Sequence, residues 1–510
     1  MIGPITCEDA NALAPPRCCG RLLFQGNREA LAWALDTVGR SVQWISVGAF
    51  LSTALLTVAK DIAGCDTTPA AQECEGRIFG LRPSSLLTSY SVVIGVLATL
   101  FMPVIGAIID YTPHRLLVGR VLASISCALT IPTIFISSNE WVFLLLAIVQ
   151  VLQGFVGWGL TLIKYSYLPE LTDDKALLNK YVASFNAIQF GTMVLYLVIM
   201  IALFSCSGLS GDDIVSAQIS QATASVVLVV MLFFAYARLF QPRPASHTLS
   251  EDRSILTEGF RQVFHTAKII VERHRALKWF YIQNAFTDAM LESLAAVVIT
   301  FFTDTLDFTS TDNGVVIMIT LISSIPGSLV AGWLNDRFGN PIITTMMGLV
   351  LLVTTNVLGG VFLIGPDQRI GAYIVASGWG MGFGWTRSCN EMLSSTLIPK
   401  GQDAELMGMF LFTRTFLAWI PPLVFTLLNE AGVQQRWILV SLSIFFVFAL
   451  GSCCMIGSFD DAVASVKEQD TTTMNDEMAP IDVALSQEEG HTDVTTCTTG
   501  PLQTDIQCNP

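Results

Sequence analysis

The sequence has few charged residues and lacks several motifs that mark common enzymes. Asp, Glu, Lys and Arg make up only 13% of its 510 residues, about half the share of an average soluble protein. It contains no Gly-Lys dipeptide and therefore no Walker-type ATP-binding loop. It also lacks HExxH and Gly-x-Ser-x-Gly sequences. We therefore expect a membrane protein that is not an enzyme and needs no cofactor.

Metal-binding patterns and a secretion signal are missing as well. The twelve Cys are scattered, with no CxxC pair and no Cys/His cluster at metal spacing, so we expect no metal site. Residues 1–28 contain no long apolar run, which is unlike a secretion signal. Cys65 and Cys74 share one polar loop and could form a disulfide, with two free thiols as the alternative.

Negative charge is concentrated at one end of the chain. The formal net charge is −14, and residues 460–510 hold eleven acidic residues against one Lys. This stretch has few large apolar residues, which predicts a disordered acidic tail. The rest of the chain is close to neutral, so the composition does not favour binding to nucleic acid.

Long apolar runs dominate what remains, since 52% of the residues are hydrophobic. There are twelve such runs, and each is about long enough to cross roughly 30 Å of hydrocarbon as a helix. They predict an all-α membrane protein with twelve transmembrane helices. The predicted segments, numbered in chain order, are 31–58, 86–109, 117–137, 141–165, 181–205, 218–239, 277–303, 313–334, 342–364, 370–396, 405–428 and 437–458.

Lys and Arg are divided unequally between the two sides, with 19 on the side of both termini and five on the other. The positive-inside rule therefore places both termini in the cytoplasm. The longest internal linker has a basic amphipathic stretch that could contact anionic lipid, although the orientation bias alone accounts for its charge. The predicted organisation is a cytoplasmic tail (1–28), a six-helix half (29–239), a cytoplasmic linker (240–276), a second six-helix half (277–458) and the acidic cytoplasmic tail (459–510).

The two halves repeat each other weakly. A Gly-x-x-x-Asp sequence closes segment 2, with Tyr111 after the Asp and Arg115 further on, and a second copy, in which Arg337 follows the Asp, closes segment 8. Two copies at these places resemble the loop motif of the major facilitator superfamily. The resemblance implies two six-helix pseudo-repeats, and motif residues that tie helix ends together across the interface between the halves. The motif residues are Gly106, Asp110 and Arg115 in the first copy and Gly332, Asp336, Arg337 and Gly339 in the second.

A narrower resemblance covers nearly the whole membrane body. It rests on Leu168-Pro169-Glu170-Leu171, on Asp288, and most specifically on residues 387–422. These stretches are similar to the autophagy-related vacuolar amino-acid effluxers. The resemblance implies export of amino acids from a vacuole- or lysosome-like compartment to the cytoplasm during nutrient recycling, with the plasma membrane as an alternative location. Leu406 and Met407 replace an aromatic pair of that family.

Charged residues fall within segments that should be apolar, which is costly in lipid and typical of substrate or ion pathways. In a major-facilitator fold, segments 1, 4, 7 and 10 line the central cavity. A zwitterion would need a guanidinium for its carboxylate and a carboxylate for its ammonium, and buried carboxylates are also candidates for proton coupling. Lys164 lies near the end of segment 4 and is expected to extend to the surface. The candidates are Asp36, Arg40, Asn284, Asp288, Glu292, Arg387, Asn390, Glu391 and Arg414.

Three alternatives stay open. The pairs Asp36–Arg40 and Arg387–Glu391 have helical i,i+4 spacing, so they could be structural ion pairs that lock the fold. The solute could instead be a sugar or another neutral molecule, recognised by aromatic and amide side chains. The protein could also be a membrane sensor or scaffold that does not transport, although such a protein has little reason to bear buried charges.

Overall fold

The computed structural model describes residues 24, 26–65, 76–172, 174–209, 211–245, 254–397 and 403–464. Within these ranges the chain is almost entirely helical. Cys74, the acidic tail beyond residue 464, most of the N-terminal tail and residues 398–402 lie outside the described residues. Cys65 is disulfide-bonded, and its predicted partner Cys74 lies outside the described residues, so the pairing of the two stays a prediction.

Each of the twelve predicted segments corresponds to a helix, and the all-α membrane fold is confirmed. Among the described residues, eleven helices are apolar and long enough to cross a membrane. The exception is α10, which has 29 residues but carries many Gly together with Arg387 and Glu391. The helices are α1 (Arg28–Ile62), α2 (Pro83–Tyr111), α3 (Arg115–Ile134), α4 (Glu140–Tyr167), α5 (Lys175–Ser207), α6 (Asp213–Leu239), α7 (Arg275–Thr305), α8 (Ser310–Phe338), α9 (Pro341–Phe362), α10 (Arg369–Leu397), α11 (Asp403–Phe416 and Ile420–Glu430) and α12 (Gln435–Ile456). A linker helix, Ile255–Arg273, connects α6 to α7.

Local sequence signals explain where several helices begin and end. The Asn27 side chain accepts hydrogen bonds from the backbone N–H groups of Glu29 and Ala30, which caps α1. Gly339 ends α8 in the left-handed conformation, with φ of 62°, a backbone state that glycine adopts at little cost. The interruption in α11 directly precedes Pro421, whose missing N–H and fixed φ favour the start of a new helix.

Glycines allow α8 and α10 to pack with their backbones in contact, as the Gly-rich sequence predicts. A Cβ added to Gly384 would lie 1.9 Å from the carbonyl oxygen of Ser324, and one added to Gly380 would lie 2.2 Å from that of Thr320. In the other direction, a Cβ on Gly327 of α8 would meet the Met381 carbonyl oxygen at 2.2 Å. Three glycines therefore set the spacing between these two helices.

The bundle has two sides, which we name by the chain. The termini side holds the start of α1 and the end of α12; the opposite side holds the end of α1 and the start of α2. Polar ties join the two halves on the opposite side. They are Lys60–Asp304 at 2.7 Å, Asp213–Ser310 N at 2.7 Å, Thr88–Thr426 at 2.8 Å, Glu430–Arg82 N at 2.7 Å, Glu430–Arg77 at 3.3 Å, Asn429–Ser84 at 2.9 Å and Asn429–Ser85 at 2.7 Å. These contacts close the opposite side.

Candidate functional site

Arg414 of α11 forms the centre of a charged cluster with α7. Its Nε lies 2.8 Å from Asp288 Oδ2, and its Nη2 lies 3.4 Å from Glu292 Oε1. Asp288 and Glu292 are one helical turn apart, so they present two carboxylates on one face of α7. The Glu292 side chain is 29% exposed. One guanidinium is thus shared by two acids, and one of those acids remains accessible.

The α10 candidates lie beside this cluster but in two different environments. Asn390 is buried and donates a hydrogen bond to the Asn284 side chain of α7 at 3.0 Å. Arg387 and Glu391 form a looser pair, with Nε and Oε1 3.6 Å apart and Glu391 48% exposed. Glu391 also lies within electrostatic range of Arg414. The two α7 acids thus contact the Arg414 guanidinium directly, whereas Glu391 of α10 contacts Arg387.

A second cluster lies in the N-terminal half, around Asp36 of α1. The Asp36 side chain is fully buried, and Arg40 Nη2 lies 2.8 Å from its Oδ2. Arg40 also donates a 2.6 Å hydrogen bond to the Thr161 hydroxyl of α4. The predicted i,i+4 pair is therefore present, and it is fixed to α4 as well.

Lys164 and Tyr236 complete this second cluster, and the sequence did not identify either as a site residue. The Lys164 ammonium lies 3.5 Å from Asp36 Oδ2 and 3.9 Å from the centre of the Trp33 ring. The prediction that Lys164 extends to the surface is wrong, because the carboxylate and the aromatic face hold its buried side chain against α1. The Tyr236 hydroxyl of α6 donates to Asp36 Oδ1 at 3.4 Å. The sequence feature that could have identified Lys164 as a site residue is its position as a basic residue one helical turn before the end of α4.

Tyr165 of α4 interacts electrostatically with an arginine of each cluster, Arg40 in the N-terminal half and Arg414 in the C-terminal half. Its ring packs edge-on against Trp33, with centroids 5.9 Å apart.

The first copy of the loop motif makes contacts within its own half. Arg115 contacts Glu170 at 2.9 Å and the Ser166 carbonyl at 3.3 Å. Both of these partners belong to the N-terminal half, and the tie across the interface stays a prediction. In the second copy, Gly339 caps α8, while Asp336 and Arg337 are exposed side chains beside it. Gly106, Asp110 and Gly332 lie at the predicted ends of α2 and α8.

Arg243, which follows α6, extends the Arg115 network. It forms ion pairs with Glu29 and, at 3.4 Å, with Glu170. The hydrogen bond to the Glu29 carboxylate raises the pKa of Arg243, so the guanidinium stays charged at any physiological pH. The network therefore links the start of α1, the start of α3 and the segments after α4 and α6. In the described part of the chain, no group of three His, Cys, Asp or Glu side chains could hold a metal ion.

Comparison with known families agrees with this architecture. The family model described as "Vacuole effluxer Atg22 like" matches residues 25–458, which is most of the chain. The chain belongs to the Atg22-like vacuole effluxer family. A curated relative is the uncharacterized MFS-type transporter YxiO of Bacillus subtilis (strain 168), which is 21% identical over 375 residues, covering 72% of this chain and 83% of that protein.

Solved structures of the major facilitator fold resemble this Atg22-like protein. A mutant of the nucleoside transporter NupG aligns with a TM-score of 0.58 at 14% identity, covering 84% of this chain and all of that chain. The inward open conformation of the xylose transporter XylE from E. coli aligns with a TM-score of 0.55 at 13% identity, covering 84% and 94%. At these identities the likeness concerns the fold. The Atg22-like protein is thus a membrane transporter of the major facilitator type.

Proposed function

We propose that this transporter exports amino acids, or small solutes of similar charge, from a vacuole- or lysosome-like compartment into the cytoplasm. The observation that carries the proposal is Arg414 held between Asp288 and Glu292, with Glu391 in electrostatic range. A region that presents one cation and several acids can bind both ends of a zwitterion. The family description supports the direction and the compartment.

Binding would exchange internal ion pairs for contacts with the solute. The solute carboxylate would take a guanidinium, from Arg414 or from the loosely paired Arg387. Its ammonium would take the Glu292 or Glu391 carboxylate, the two acids that are most exposed. The long 3.4 and 3.6 Å contacts of these residues are cheaper to break than the 2.8 Å pair of Asp288 with Arg414. We therefore assign Asp288 to positioning the guanidinium.

Transport would proceed by alternating access, with the two halves rocking around this region. In the described state the polar contacts between the halves on the opposite side are formed. Solute would therefore enter or leave through the termini side. The Lys and Arg distribution predicts that this side is cytoplasmic. Opening towards the compartment would then require these ties to separate. Protons are the candidate coupling ion, and Glu292, Asp288 and Glu391 are the candidate carriers because they are carboxylates within the membrane-spanning helices.

Uptake by proteoliposomes tests the proposal. The purified full-length protein would be offered labelled amino acids, a sugar and a nucleoside, with and without an imposed pH gradient. We expect uptake of amino acids that increases with the gradient and is lost in Arg387→Gln. The matched control is Arg238→Gln, which removes an exposed guanidinium at the end of α6, outside both clusters.

The other outcomes separate the alternatives. Uptake of the sugar or nucleoside alone would replace the amino-acid proposal by a neutral-solute transporter. Amino-acid uptake without gradient dependence would keep the substrate and remove the proton. Absence of uptake for every solute, with protein shown to be folded, would contradict the proposal and favour a sensor or scaffold.

A further inference from the structure

The linker helix is fixed against the bundle by close backbone contact. Its Gly259 faces α2, where an added Cβ would lie 2.2 Å from the Pro103 carbonyl oxygen and 3.2 Å from the Ala107 side chain. The helix also packs on the first part of α11. Such an approach is possible only for glycine, so the position of the linker helix beside α2 is determined by the sequence.

The contact places the linker helix at a shallow depth along α2. Pro103 and Ala107 precede the end of α2 at Tyr111 by eight and four residues, which is about 12 and 6 Å at the helical rise of about 1.5 Å per residue. An amphipathic helix that lies in a membrane interface is buried by about 5–10 Å. With the end of α2 taken as the membrane surface, the contact with the linker helix lies close to the depth of an interfacial helix.

The side chains of the linker helix divide into three sectors around its axis. One sector is docked on the bundle. The second is an exposed apolar stripe, in which Phe264 is 71% exposed. The third is polar and exposed. In chain order, the docked sector is Glu258, Gly259, Thr266 and Ile270; the apolar stripe is Leu256, Phe260, Phe264 and Val271; and the polar sector is Arg261, His265, Lys268 and Glu272.

This division fits a helix lying on its side in the interface, next to a protein. The docked sector faces the bundle, the apolar stripe would face hydrocarbon, and the polar sector would face water and headgroups. Leu100 and Phe101 of α2 are also exposed, so the apolar surface of the bundle continues beside the stripe. A stripe of four large apolar side chains is unusual on a surface that faces water. In the interface, lipid acyl chains would cover these side chains.

We propose that the linker helix binds anionic lipid of the leaflet on the termini side. Its apolar stripe contacts acyl chains, and Arg261 and Lys268 contact the headgroups. Both cations are exposed in the polar sector, and Lys268 shares its charge only loosely with Glu272, at 3.8 Å. Each Lys or Arg near an anionic surface strengthens the attraction. The occupant is therefore a phospholipid rather than another protein chain.

Site-specific photocrosslinking tests this assignment in the full-length protein. Benzoylphenylalanine would replace either Phe264 in the apolar stripe or His265 in the polar sector, in vesicles of phosphatidylcholine with or without phosphatidylserine. The two positions are adjacent in sequence and exposed, so they are matched in accessibility and differ in sector. We expect lipid adducts from position 264 and few from position 265, with more adducts when phosphatidylserine is present.

The charge contribution is tested by Arg261→Gln and Lys268→Gln. Each is expected to weaken the preference for phosphatidylserine by about fivefold, the factor that corresponds to about 1 kcal/mol per basic residue. Equal lipid adducts from both positions, or adducts from 264 to protein only, would overturn the interfacial placement. A preference for phosphatidylserine that survives both substitutions would overturn the role of the two cations. An unchanged melting temperature shows that the variants are folded.

Discussion

Lys60 at the end of α1 and Asp304 at the end of α7 form an ion pair 2.7 Å long that joins the two halves. The other oxygen of the same carboxylate accepts a 2.7 Å hydrogen bond from Gln435 of α12. Asp304 is therefore held by a partner from each half. Under the proposed alternating access the halves would separate on this side, so the pair would act as a lock on the described state.

Removal of the Lys60 ammonium should favour opening on the opposite side. In Lys60→Met, Asp304 keeps Gln435 but loses its contact across the halves, and a partly exposed ion pair contributes at most about 1 kcal/mol. We expect the population open on the opposite side to rise by up to roughly fivefold. Spin labels at the exposed residues Trp141 and Ile364, one in each half, would report this as a longer distance by pulsed electron resonance.

The control for this experiment is Arg436→Gln. Arg436 lies on the same side and contacts Gln434 and Trp437 of its own half, so its loss removes charge without breaking a tie. An equal shift in Lys60→Met and Arg436→Gln would contradict the lock, since charge alone would then explain the change.

Two ion pairs with the same i,i+4 spacing should differ greatly in their effect on stability. Asp36 is fully buried with Arg40 and Lys164 around it, so Asp36→Ala leaves the buried Lys164 and the partly buried Arg40 without a carboxylate and should cost about 3–5 kcal/mol. Glu391 is about half exposed, so Glu391→Ala should cost no more than about 0.5 kcal/mol. Thermal unfolding of both variants in the same detergent provides the measurement, and similar melting temperatures would contradict this difference in burial.

Some of these features follow from the sequence and others do not. The twelve apolar segments, the division into halves and the charged positions on α1, α7 and α10 were predicted, because hydrophobic length and rare intramembrane charge are local signals. The partners of Arg414 were not predicted. The sequence shows only pairs with i,i+4 spacing on one helix, such as Arg387 with Glu391. The register between α7 and α11 brings Asp288 to Arg414 instead, and packing decides that register.

Lys164 illustrates the same limit. Its position near the end of α4 predicts a side chain that reaches the surface, yet Asp36 and Trp33 on α1 hold it inside the protein. Arg115 is a further case, because the sequence places it at a helix end but does not indicate that Glu170 is one of its partners. Contacts between distant segments are set by the packed structure.

The close packing of α8 and α10 makes a third prediction. Gly384→Ala would place a methyl group 1.9 Å from the Ser324 carbonyl oxygen, which the backbone can relieve only by separating the helices, at a cost of about 1–3 kcal/mol. Gly191→Ala on α5 is the matched control, because no atom lies within 4 Å of the added Cβ and Ala is favoured over Gly in a helix by about 0.5–1 kcal/mol. We expect a lower melting temperature for the first variant and an equal or higher one for the second. Equal stability of the two variants would contradict the prediction, because α8 and α10 would then separate without a measurable loss of stability.

Glu292 is our candidate carrier for the proposed coupling proton. It is the more exposed of the two carboxylates at Arg414 and the one with the longer contact, so its replacement leaves the pair of Asp288 and Arg414 in place. In Glu292→Gln we expect uptake driven by a pH gradient to fall at least about tenfold, within the range of about one to three kcal/mol usual for coupling between sites. Exchange of external for internal amino acid needs no net proton movement, so it should continue in this variant.

Loss of both reactions would assign Glu292 to solute binding instead, and retention of both would remove it from the coupling pathway. Asp288→Asn provides the comparison, because loss of the 2.8 Å partner of Arg414 should reduce exchange and driven uptake together.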